Sequence, residues 1–369
     1  MKNKIVIIGS NEHQNPLIIK AKEMGYETHV FAWQMGDVGE KTADFYYPIS
    51  ITNKQAILEK CKSIEPQGII SMASDLAAIT AAYLAKEMNC IGNTPDIVEV
   101  CTNKLLFRKR LQECKVNQPA FVEVGDIFPE EKVEAIHFPV VVKPSDRSGN
   151  RGVAKAWNRK EMIRALMTAK EYSFERKAII EEYISGDYYS CECYTENGNH
   201  VLVALTKRES IEYQNNFLDY TRIQSKTMLA DEEIKEKIFS VLDAVNMQNG
   251  ASSVEFVKNE QGIWIIELMP SMYGDYVSTD LVPVVHDFDY VRKSIEIACG
   301  IHSGSYNFTK VNAGSASVKF VLSQDDYKEY HNSYLAGKIL HSSKFDEAQF
   351  IPGVVTGIPY GYFIKKVEK

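Results

Sequence analysis

The most constraining stretch of the sequence runs from Phe138 to Val153 and reads FPVVVKPSDRSGNRGV. Its β-branched apolar run predicts a buried strand ending at Lys143, followed by a polar loop rich in serine and glycine. Glycines let backbone N–H groups approach an anion closely, and the lysine places a cation beside it. The stretch therefore predicts a phosphate-binding loop, but not a Walker loop, because the Gly-Lys-Ser/Thr ending is absent. Ordinary turn chemistry explains the same residues, so a solvated hairpin turn stays open as the alternative.

Composition indicates a globular protein built from two or three modules. The chain has 369 residues, of which 45% are apolar and 25% are charged. Its net charge of -7 argues against a dedicated nucleic-acid binder. The most apolar stretch, 68–85, is interrupted by Asp75 and predicts a strand, a loop and a helix. We therefore expect no nucleic-acid partner, no membrane partner and no signal peptide.

The seven cysteines indicate reduced thiols. They stand at positions 61, 90, 101, 114, 191, 193 and 299, and an odd count in a chain of this size favours a cytoplasmic location. Cys191 and Cys193 share one face of a predicted strand. Because no second pair of ligands follows in sequence, packed core thiols explain them better than a metal site.

The N-terminal segment, 1–115, predicts a Rossmann-like α/β unit. A buried strand over 4–9 is followed by a helix and a second strand over 28–33. Only Gly9 occupies the first turn, so the dinucleotide fingerprint is missing and a nicotinamide-dependent role is weakly supported. Ligands bind beyond the carboxyl ends of strands in such sheets. The candidate ligand-binding residues at this edge are Ser10, Asn11, Ser74 and Asp75. Taken singly, each is better explained by turn or N-cap chemistry.

The rest of the chain predicts two further modules. Residues 116–185 contain the strand, loop and strand around Lys143, a helix and an apolar strand near 178–184. Residues 186–369 predict antiparallel strands, with a turn at Asn197-Gly198-Asn199 and helices near 231–246 and 281–300. Residues 208–226 have few apolar anchors, and we interpret them as a mobile loop over a site.

Two glutamates on a predicted hairpin suggest a metal site. Strands over 251–258 and 263–268 flank a turn, and closing it there makes Glu255 and Glu267 about cross-strand partners. Two facing carboxylates without a basic partner are unfavourable unless a divalent cation binds between them. A salt-bridged surface pair is the alternative, although the flanking strands are strongly apolar.

Taken in order, these segments resemble the ATP-grasp superfamily, nearest its carboxylate–amine ligases and carbamoyl-phosphate-synthase-like members. The resemblance implies an α/β and α+β chain. Its parts would be an N-terminal Rossmann-like (pre-ATP-grasp) domain, a small α+β lid subdomain with the phosphate loop, and a C-terminal antiparallel α+β subdomain with the metal site. Besides the N-terminal unit, the motifs that carry the resemblance are GNTPDIVEVCTNK, KPSDRSGNRGV, IIEEYISGDYYSCE, SSVEF and WIIELMPSMYGD.

The resemblance also implies ATP and Mg²⁺ as cofactors and gives residues roles. Lys104 and Lys143 would contact the ATP phosphates, and Glu255 and Glu267 would hold Mg²⁺ between phosphate oxygens. The loop 145–152 would fold over the β- and γ-phosphates, and the hinge 181–184 would bind adenine through its backbone. Glu181 or Glu182 would receive the exocyclic amine. The remaining implied contacts are Ser148, Gly149, Gly152, Val153, Tyr183 and Ile184 for the nucleotide, and Lys207 or Arg208 for the transferring phosphate.

Three positions depart from the family pattern. Met269 stands where an asparagine ligand is common, and a thioether is a poor ligand for a hard cation. Ser271 stands where an arginine often grips a substrate carboxylate or phosphate. Tyr188 stands where a ribose-binding acid is expected, and the neighbouring Asp187 is the candidate substitute.

The expected function is an ATP-dependent ligase that activates a carboxylate as an acyl phosphate and couples it to an amine. Its partners would be small-molecule carboxylate and amine substrates, and by analogy with the family a homodimer is one expected assembly. The alternative is an ATP-binding but catalytically weak regulatory protein of the same fold, which Met269 and Ser271 motivate.

Overall fold

The computed structural model of the protein describes residues 3–213, 216–304, 314–346, 349–350, 353–356 and 359–367. The strands, in chain order, are β1 (Lys4–Ile8), β2 (Glu27–Phe31), β3 (Phe45–Tyr47), β4 (Gly68–Ser71), β5 (Phe121–Val124), β6 (Val140–Pro144), β7 (Ala154–Ala156), β8 (Ala178–Glu182), β9 (Asp187–Glu196), β10 (Asn199–Tyr213), β11 (Asn216–Ser225), β12 (Asn249–Asn259), β13 (Gly262–Met269), β14 (Ser315–Val321), β15 (Ile339–Ser342) and β16 (Gly361–Val367).

The α-helices, in chain order, are α1 (Asn15–Glu23), α2 (Val38–Thr42), α3 (Lys54–Ile64), α4 (Asp75–Glu87), α5 (Pro95–Thr102), α6 (Lys104–Glu113), α7 (Glu130–Glu134), α8 (Arg159–Tyr172), α9 (Glu232–Ala244), α10 (Val282–His286), α11 (Tyr290–Ala298) and α12 (Gln324–Leu335). A 3₁₀ turn, Lys226–Ala230, precedes α9, and a π-helical turn, Val277–Leu281, leads into α10. None of the described helices combines the length and apolar character needed to cross a membrane.

The N-terminal sheet is parallel, with strand order β3-β2-β1-β4. Strand β1 is central and buried on both faces, as its continuous apolar sequence predicts. Ile5 and Ile7 pack towards α1 and α11, whereas Val6 and Ile8 pack towards α3 and α4. Helix α11 therefore joins the distant part of the chain to this sheet, and the two share one core.

A second, four-stranded sheet is antiparallel, with order β5-β8-β6-β7. Its central strand β6 buries Val140 and Val142 against α8, where Met162 and Leu166 complete the core. Lys143, between the buried positions, is directed away from this core. The predicted strand, loop and strand around Lys143 is confirmed, because β6 and β7 pair on either side of the loop.

The third sheet has eight strands in the order β13-β12-β9-β10-β11-β14-β16-β15. One face packs against α6 and α9 through an apolar core that includes Cys191, Cys193 and Phe256. The opposite face of its first strands, here called the polar face, carries Tyr188, Ser190, Glu192, Thr206, Arg208, Arg222, Gln224, Ser253, Glu255 and Glu267. Most of these side chains are buried despite their polarity.

The interpretation of 208–226 as a mobile loop is wrong. Strands β10 and β11 form a long antiparallel hairpin through this segment, with Arg208 opposite Arg222, and β11 continues the sheet to β14. Apolar anchors are few here because alternate residues belong to the polar face and find charged partners instead of a hydrophobic core. The three sheets lie within 1–115, 116–185 and 186–369, and those exact domain bounds stay a prediction.

Candidate functional site

Lys104 connects the N-terminal unit, the glycine-rich loop and the large sheet. It is the first residue of α6, and its Nζ lies 3.0 Å from Glu267 Oε1 and donates to the Arg147 carbonyl at 2.9 Å. Burial lowers the pKa of Lys104, but the charges of Glu267 and Asp75 outweigh this and raise it. The ammonium therefore stays charged beside the loop, as a phosphate-binding group must.

Asp75, the first residue of α4, faces the same cluster. Burial raises the pKa of its carboxyl to about 6, against the opposing effects of the Lys104 charge and the Ser148 hydroxyl. The other candidate residues at the edge of the N-terminal sheet serve local structure. Ser74 caps α4, Asn11 accepts from the N–H groups of His13 and Gln14, and Ser10 donates to Asp37.

Lys143 and Arg108 converge on one buried carboxylate, Glu181. Arg108 Nε donates to Glu181 Oε1 at 2.7 Å, and Lys143 Nζ donates to Oε2 at 2.8 Å. Burial alone would raise the pKa of Glu181, but these two charges lower it to about 2. Both of its carboxylate oxygens therefore have basic partners. The expectation that Glu181 or Glu182 receives the adenine amine stays a prediction.

The loop after Lys143 has the backbone of an anion-binding turn. Gly149, Asn150 and Gly152 have φ values of 71°, 54° and 74°, the left-handed region that turns successive N–H groups towards one side. A Cβ on Gly152 would lie 3.1 Å from the Pro144 ring, so this position needs glycine for space as well as for φ. The Val153 N–H closes the turn on the Asn150 carbonyl at 3.2 Å.

Glu255 and Glu267 are cross-strand partners, as predicted. Strands β12 and β13 place them opposite each other, just before the pairing shifts by one residue. The expectation that they lack basic partners is wrong, because Glu267 pairs with Lys104, and Glu255 contacts the guanidinium of Arg208 and the hydroxyl of Tyr188. Burial raises the pKa of Glu267, but the charges of Lys104 and Lys143 outweigh it and lower the pKa.

This pair fits Mg²⁺. Within the residues that the structure describes, no group of three or more His, Cys, Asp or Glu side chains is arranged around a common metal position. Mg²⁺ is commonly held by only one or two carboxylates, with substrate phosphates and water completing its shell. Met269 lies two residues after Glu267 and opposite Ser253, and its thioether adds no oxygen ligand to the Glu255–Glu267 pair.

Asp187 and Lys207 lie on the wrong side of the sheet for the roles first given to them. Lys207 and Arg208 are adjacent in β10, so their side chains project to opposite faces. Lys207 pairs with Asp187 at 2.9 Å on the apolar face, where the neighbouring Tyr189 ring stacks on Phe256. Arg208 alone of the two predicted cations lies beside Glu255. The ribose-binding role of Asp187 is corrected for the same reason.

The hinge at 181–184 is partly occupied by its own sheet. The N–H of Glu182 donates to the Ala120 carbonyl at 2.9 Å, and that of Tyr183 donates to the Pro139 carbonyl at 3.1 Å. These bonds fix the strand end next to the glycine-rich loop. A nucleotide base would then meet the backbone beyond them, at Ile184.

Sequence reasoning missed Arg108, Tyr273 and Glu192. Arg108 is 1% exposed and also donates to the carbonyls of Ile265 and Ile266, so it fastens α6 to β13. The burial of Arg108 could have been predicted from helical periodicity, because it lies three residues from both Leu105 and Leu111 on the buried face of its helix. The register of the large sheet shows that Glu192 faces the site. Tyr273 follows β13, and the Arg208 guanidinium lies over its ring.

Comparison with known proteins agrees with this geometry. Residues 136–280 match the family model described as an ATP-grasp domain. The segment 136–280 is therefore similar to ATP-grasp domains. It is 24% identical over 258 residues to the carbamoyl phosphate synthase large chain of Clostridium botulinum, a match that covers 68% of this chain and 24% of that protein. The chain thus spans about a quarter of the length of the synthase chains it matches.

Solved structures show the same ATP-grasp fold over the whole chain. The L-amino acid ligase of Bacillus licheniformis superposes with a TM-score of 0.79 at 17% identity, covering 99% of this chain and 93% of the ligase. The N5-carboxyaminoimidazole synthetase of Staphylococcus aureus, complexed with ADP, gives a TM-score of 0.76 at 16% identity over 100% and 95% of the two chains. At these identities the likeness establishes the fold.

Proposed function

We propose that the protein is an ATP-dependent ligase that activates a carboxylate as an acyl phosphate and couples it to an amine. The observation that carries the proposal is the convergence of Lys104, Lys143 and the Glu255–Glu267 pair around the glycine-rich loop. Cations for phosphates, carboxylates for a divalent cation and backbone donors in a turn are the parts of a phosphoryl-transfer site.

In this proposal the nucleotide lies between the second sheet and the large sheet. Lys104, Lys143 and the turn 145–152 bind the phosphates, with Ser148, Gly149 and Gly152 at the closest approach. Adenine meets the hinge at Glu182 and Ile184. The ion pairs Lys104–Glu267 and Lys143–Glu181 then exchange part of their bonding for phosphate oxygens, without leaving a buried charge uncompensated.

The chemistry follows from positioning and charge. Glu255 and Glu267 would hold Mg²⁺, which supplies neutralisation of phosphate charge. The substrate carboxylate attacks the γ-phosphorus of ATP, the bond to ADP breaks, and an acyl phosphate forms. Arg208, whose side chain is 12% exposed beside Glu255, orients the transferring phosphate and the acyl group. An amine then forms the C–N bond, and phosphate leaves with the electron pair of the C–O bond.

Other features support the proposal. The ligase and synthetase structures named above share the fold from end to end, and one of them was solved with ADP. The seven cysteines are all free thiols, which supports the proposed cytoplasmic location. A homodimer remains part of the proposal by analogy alone.

Calorimetric titration of ATP with and without Mg²⁺ tests the nucleotide site. We expect binding that tightens with Mg²⁺, and ADP release that requires both a carboxylate and an amine from an amino acid panel. Lys143→Ala should abolish ADP release, whereas Lys132→Ala, a change on the short helix α7 of the same subdomain, should leave it unchanged. Absence of ATP binding would contradict the assignment of the loop.

The second candidate is an ATP-binding regulatory protein that turns over weakly. Met269 provides no oxygen ligand, and Arg208 already neutralises Glu255, so a nucleotide can bind here without a fully coordinated metal. This candidate predicts ATP binding indifferent to Mg²⁺ and no ADP release with any pair of substrates. Recovery of Mg²⁺ dependence in Met269→Asn would support it.

A further inference from the structure

Glu192 is a fully buried carboxylate with one oxygen unused. Its Oε2 accepts hydrogen bonds from the hydroxyls of Ser253 at 2.6 Å and Ser278 at 2.9 Å, whereas Oε1 is buried with no hydrogen-bond partner. Among the described residues, no lysine, arginine or histidine lies within ion-pairing distance of it. A buried carboxylate of this kind is unfavourable unless it takes up a proton or a cation.

Glu192 lies on the polar face, close to the reacting groups. Strand β9 pairs with β12 so that Ser190 is opposite Glu255 and Glu192 is opposite Ser253. Glu192 is therefore one step of the pleat beyond the proposed metal carboxylate, about 7 Å along the strand. This distance leaves room for the acyl phosphate of the substrate beside Glu255 and for the attacking amine beside Glu192.

Further unused polar atoms surround this position. The Ser190 Oγ, on the same strand and face, and the Tyr273 hydroxyl are both buried without hydrogen-bond partners, as is Gln224 Oε1 on the next strands of the face. Buried polar groups are nearly always bonded in folded proteins, so a cluster without partners marks the place of a polar ligand. Glu192 Oε1 and Gln224 Oε1 can only accept hydrogen bonds, and the Ser190 and Tyr273 hydroxyls can also accept them, so these four atoms suit a ligand that donates. The guanidinium nitrogens of Arg208 and Arg222 on the same face already lie beside the carboxylates of Glu255, Asp219 and Asp275.

The contrast with the other glutamates of the site indicates the ligand's charge. Glu181, Glu255 and Glu267 each have a lysine or arginine partner within the protein. Glu192 has only hydroxyls within hydrogen-bonding distance, the acidic group Asp275 adds negative charge, and the nearest cation, Arg208, is more distant and is paired with Glu255. A primary ammonium group brings one positive charge and three donors in a small volume, which matches this set of acceptors.

We infer that Glu192 binds the amine substrate as its ammonium ion and acts as the base that deprotonates it. This inference rests on the proposed ligase function and deepens it. One N–H proton passes to Glu192 Oε1, and the resulting neutral amine attacks the carbonyl carbon of the acyl phosphate. The C–N bond forms, the C–O bond to phosphorus breaks, and phosphate departs with the electron pair. The second amine proton leaves with the phosphate.

Hydroxylamine separates this step from carboxylate activation. It is uncharged at neutral pH and traps acyl phosphates as hydroxamates without needing a base, so it reports activation alone. With wild-type protein, ATP, Mg²⁺ and an amino acid panel, we expect both hydroxamate formation and coupling to ethylamine. In Glu192→Gln, the ratio of ethylamine coupling to hydroxamate formation should fall on the order of 10²-fold or more.

Glu196→Gln is the matched control. Glu196 lies on the same strand and face but is paired with Lys293 at 2.7 Å and lies away from the reacting groups. The same substitution there should leave the ratio unchanged. An unchanged ratio in Glu192→Gln would overturn the inference, whether both reactions persist or both fall by the same factor.

Direct binding distinguishes failure of the inference from failure of the proposed function. Ethylammonium should stabilise the wild-type protein and Glu196→Gln in thermal unfolding at pH 8, and should not stabilise Glu192→Gln. Absence of hydroxamate with every carboxylate, together with Glu192-dependent ethylammonium binding, would overturn the proposed ligase reaction and keep the cation site. Stabilisation that persists in Glu192→Gln would overturn the cation site itself.

Discussion

The candidate site has two ends that treat negative charge in opposite ways: a nucleotide end, with Glu181 and Glu267, and an amine end, with Glu192. At the nucleotide end, Glu181 and Glu267 are held by lysines and an arginine, and their pKa values lie below the usual range. At the amine end, burial raises the pKa of Glu192 to about 7, because two serine hydroxyls and the more distant Arg208 only partly offset it. Glutamates of one candidate site thus have opposite ionisation behaviour.

The two ends therefore bind their ligands in different ways. At the nucleotide end the cations for phosphate and the carboxylates for metal neutralise one another, so the site is electrostatically complete before ATP arrives. When ATP binds there, the lysines exchange part of their bonding to glutamates for bonds to phosphate oxygens. At the amine end no basic side chain of the described residues pairs with Glu192, and the more distant Arg208 offsets its charge only in part, so a ligand or a proton has to complete the neutralisation.

Removing an internal cation from the nucleotide end should have the largest effect. Arg108→Met leaves Glu181 buried with a single cation and leaves two backbone carbonyls of β13 without their donor. Breaking one partner from a buried ion pair costs about 3–5 kcal/mol. We expect the free energy of unfolding in urea to fall by that amount.

The neighbouring Lys109→Met tests whether burial is the cause. Lys109 pairs with Glu123 at 2.8 Å, and both side chains are about half exposed. Exposed pairs contribute about 0–1 kcal/mol, so this variant should unfold almost as the wild type does. Equal losses in the two variants would show that the ion pairs of this region do not differ in the way proposed.

The pH dependence of stability should have opposite signs at the two ends. The pKa of Glu181 is depressed to about 2, so its contribution is present above pH 4.5 and is lost as the pH falls towards 2. The pKa of Glu192 is raised to about 7, so the folded state holds the extra proton and stability falls as the pH rises from 4.5 through 7. Each shift corresponds to roughly 3 kcal/mol at 1.36 kcal/mol per pH unit.

Urea unfolding at a series of pH values checks this sign difference. Glu192→Gln should flatten the decline between pH 5 and pH 8 and leave the acid limb in place. The other titratable or charged groups around Glu192 are Asp275, Arg208, Tyr273, Tyr290, Cys191 and Cys193. Burial raises the pKa values of these tyrosines and thiols above their ordinary ranges, so they stay protonated below pH 8. A decline that persists in Glu192→Gln would assign it to another group.

Removing a metal carboxylate should have an intermediate effect that appears only with Mg²⁺. Glu267→Gln keeps the shape of the side chain but loses the charge, and losing even an outer-shell partner costs ~10–100-fold in metal affinity. We expect calorimetric ATP affinity in Mg²⁺ to fall at least by that factor and affinity in its absence to change little. Equal losses with and without Mg²⁺ would show that Glu267 acts through Lys104 alone.

The nucleotide end could be predicted from sequence because its residues lie in continuous local patterns. The strand ending at Lys143, the glycine-containing turn and the cross-strand pairing of Glu255 with Glu267 each follow from alternation and turn position within a few residues. Strand parity fixes the face of a side chain only after the strand itself is recognised. Because the segment 208–226 was interpreted as a loop, the sequence could not predict on which face of the sheet Lys207 lies.

The amine end could not be predicted for a different reason. Glu192 lies between two cysteines in an alternating strand, where its sequence suggests a half-exposed polar residue. Its burial depends on Ser278, eighty-six residues away, which reaches it through the π-helical turn. No local pattern encodes that contact. The basic partners of Glu255 and Glu267 were missed for the same reason, since Lys104 and Arg208 come from distant elements.

The smallest expected effect lies at the pair that faces away from both ends. Asp187 and Lys207 form an ion pair on the apolar face of the sheet, with side chains 57% and 35% exposed. Asp187→Asn should therefore change ATP affinity by less than twofold and stability by about 1 kcal/mol or less. Calorimetry with Mg²⁺ and urea unfolding measure both. A large loss of ATP affinity would place the ribose against Asp187 and move the nucleotide to the other side of β9, and the division of the candidate site into two ends would then fail.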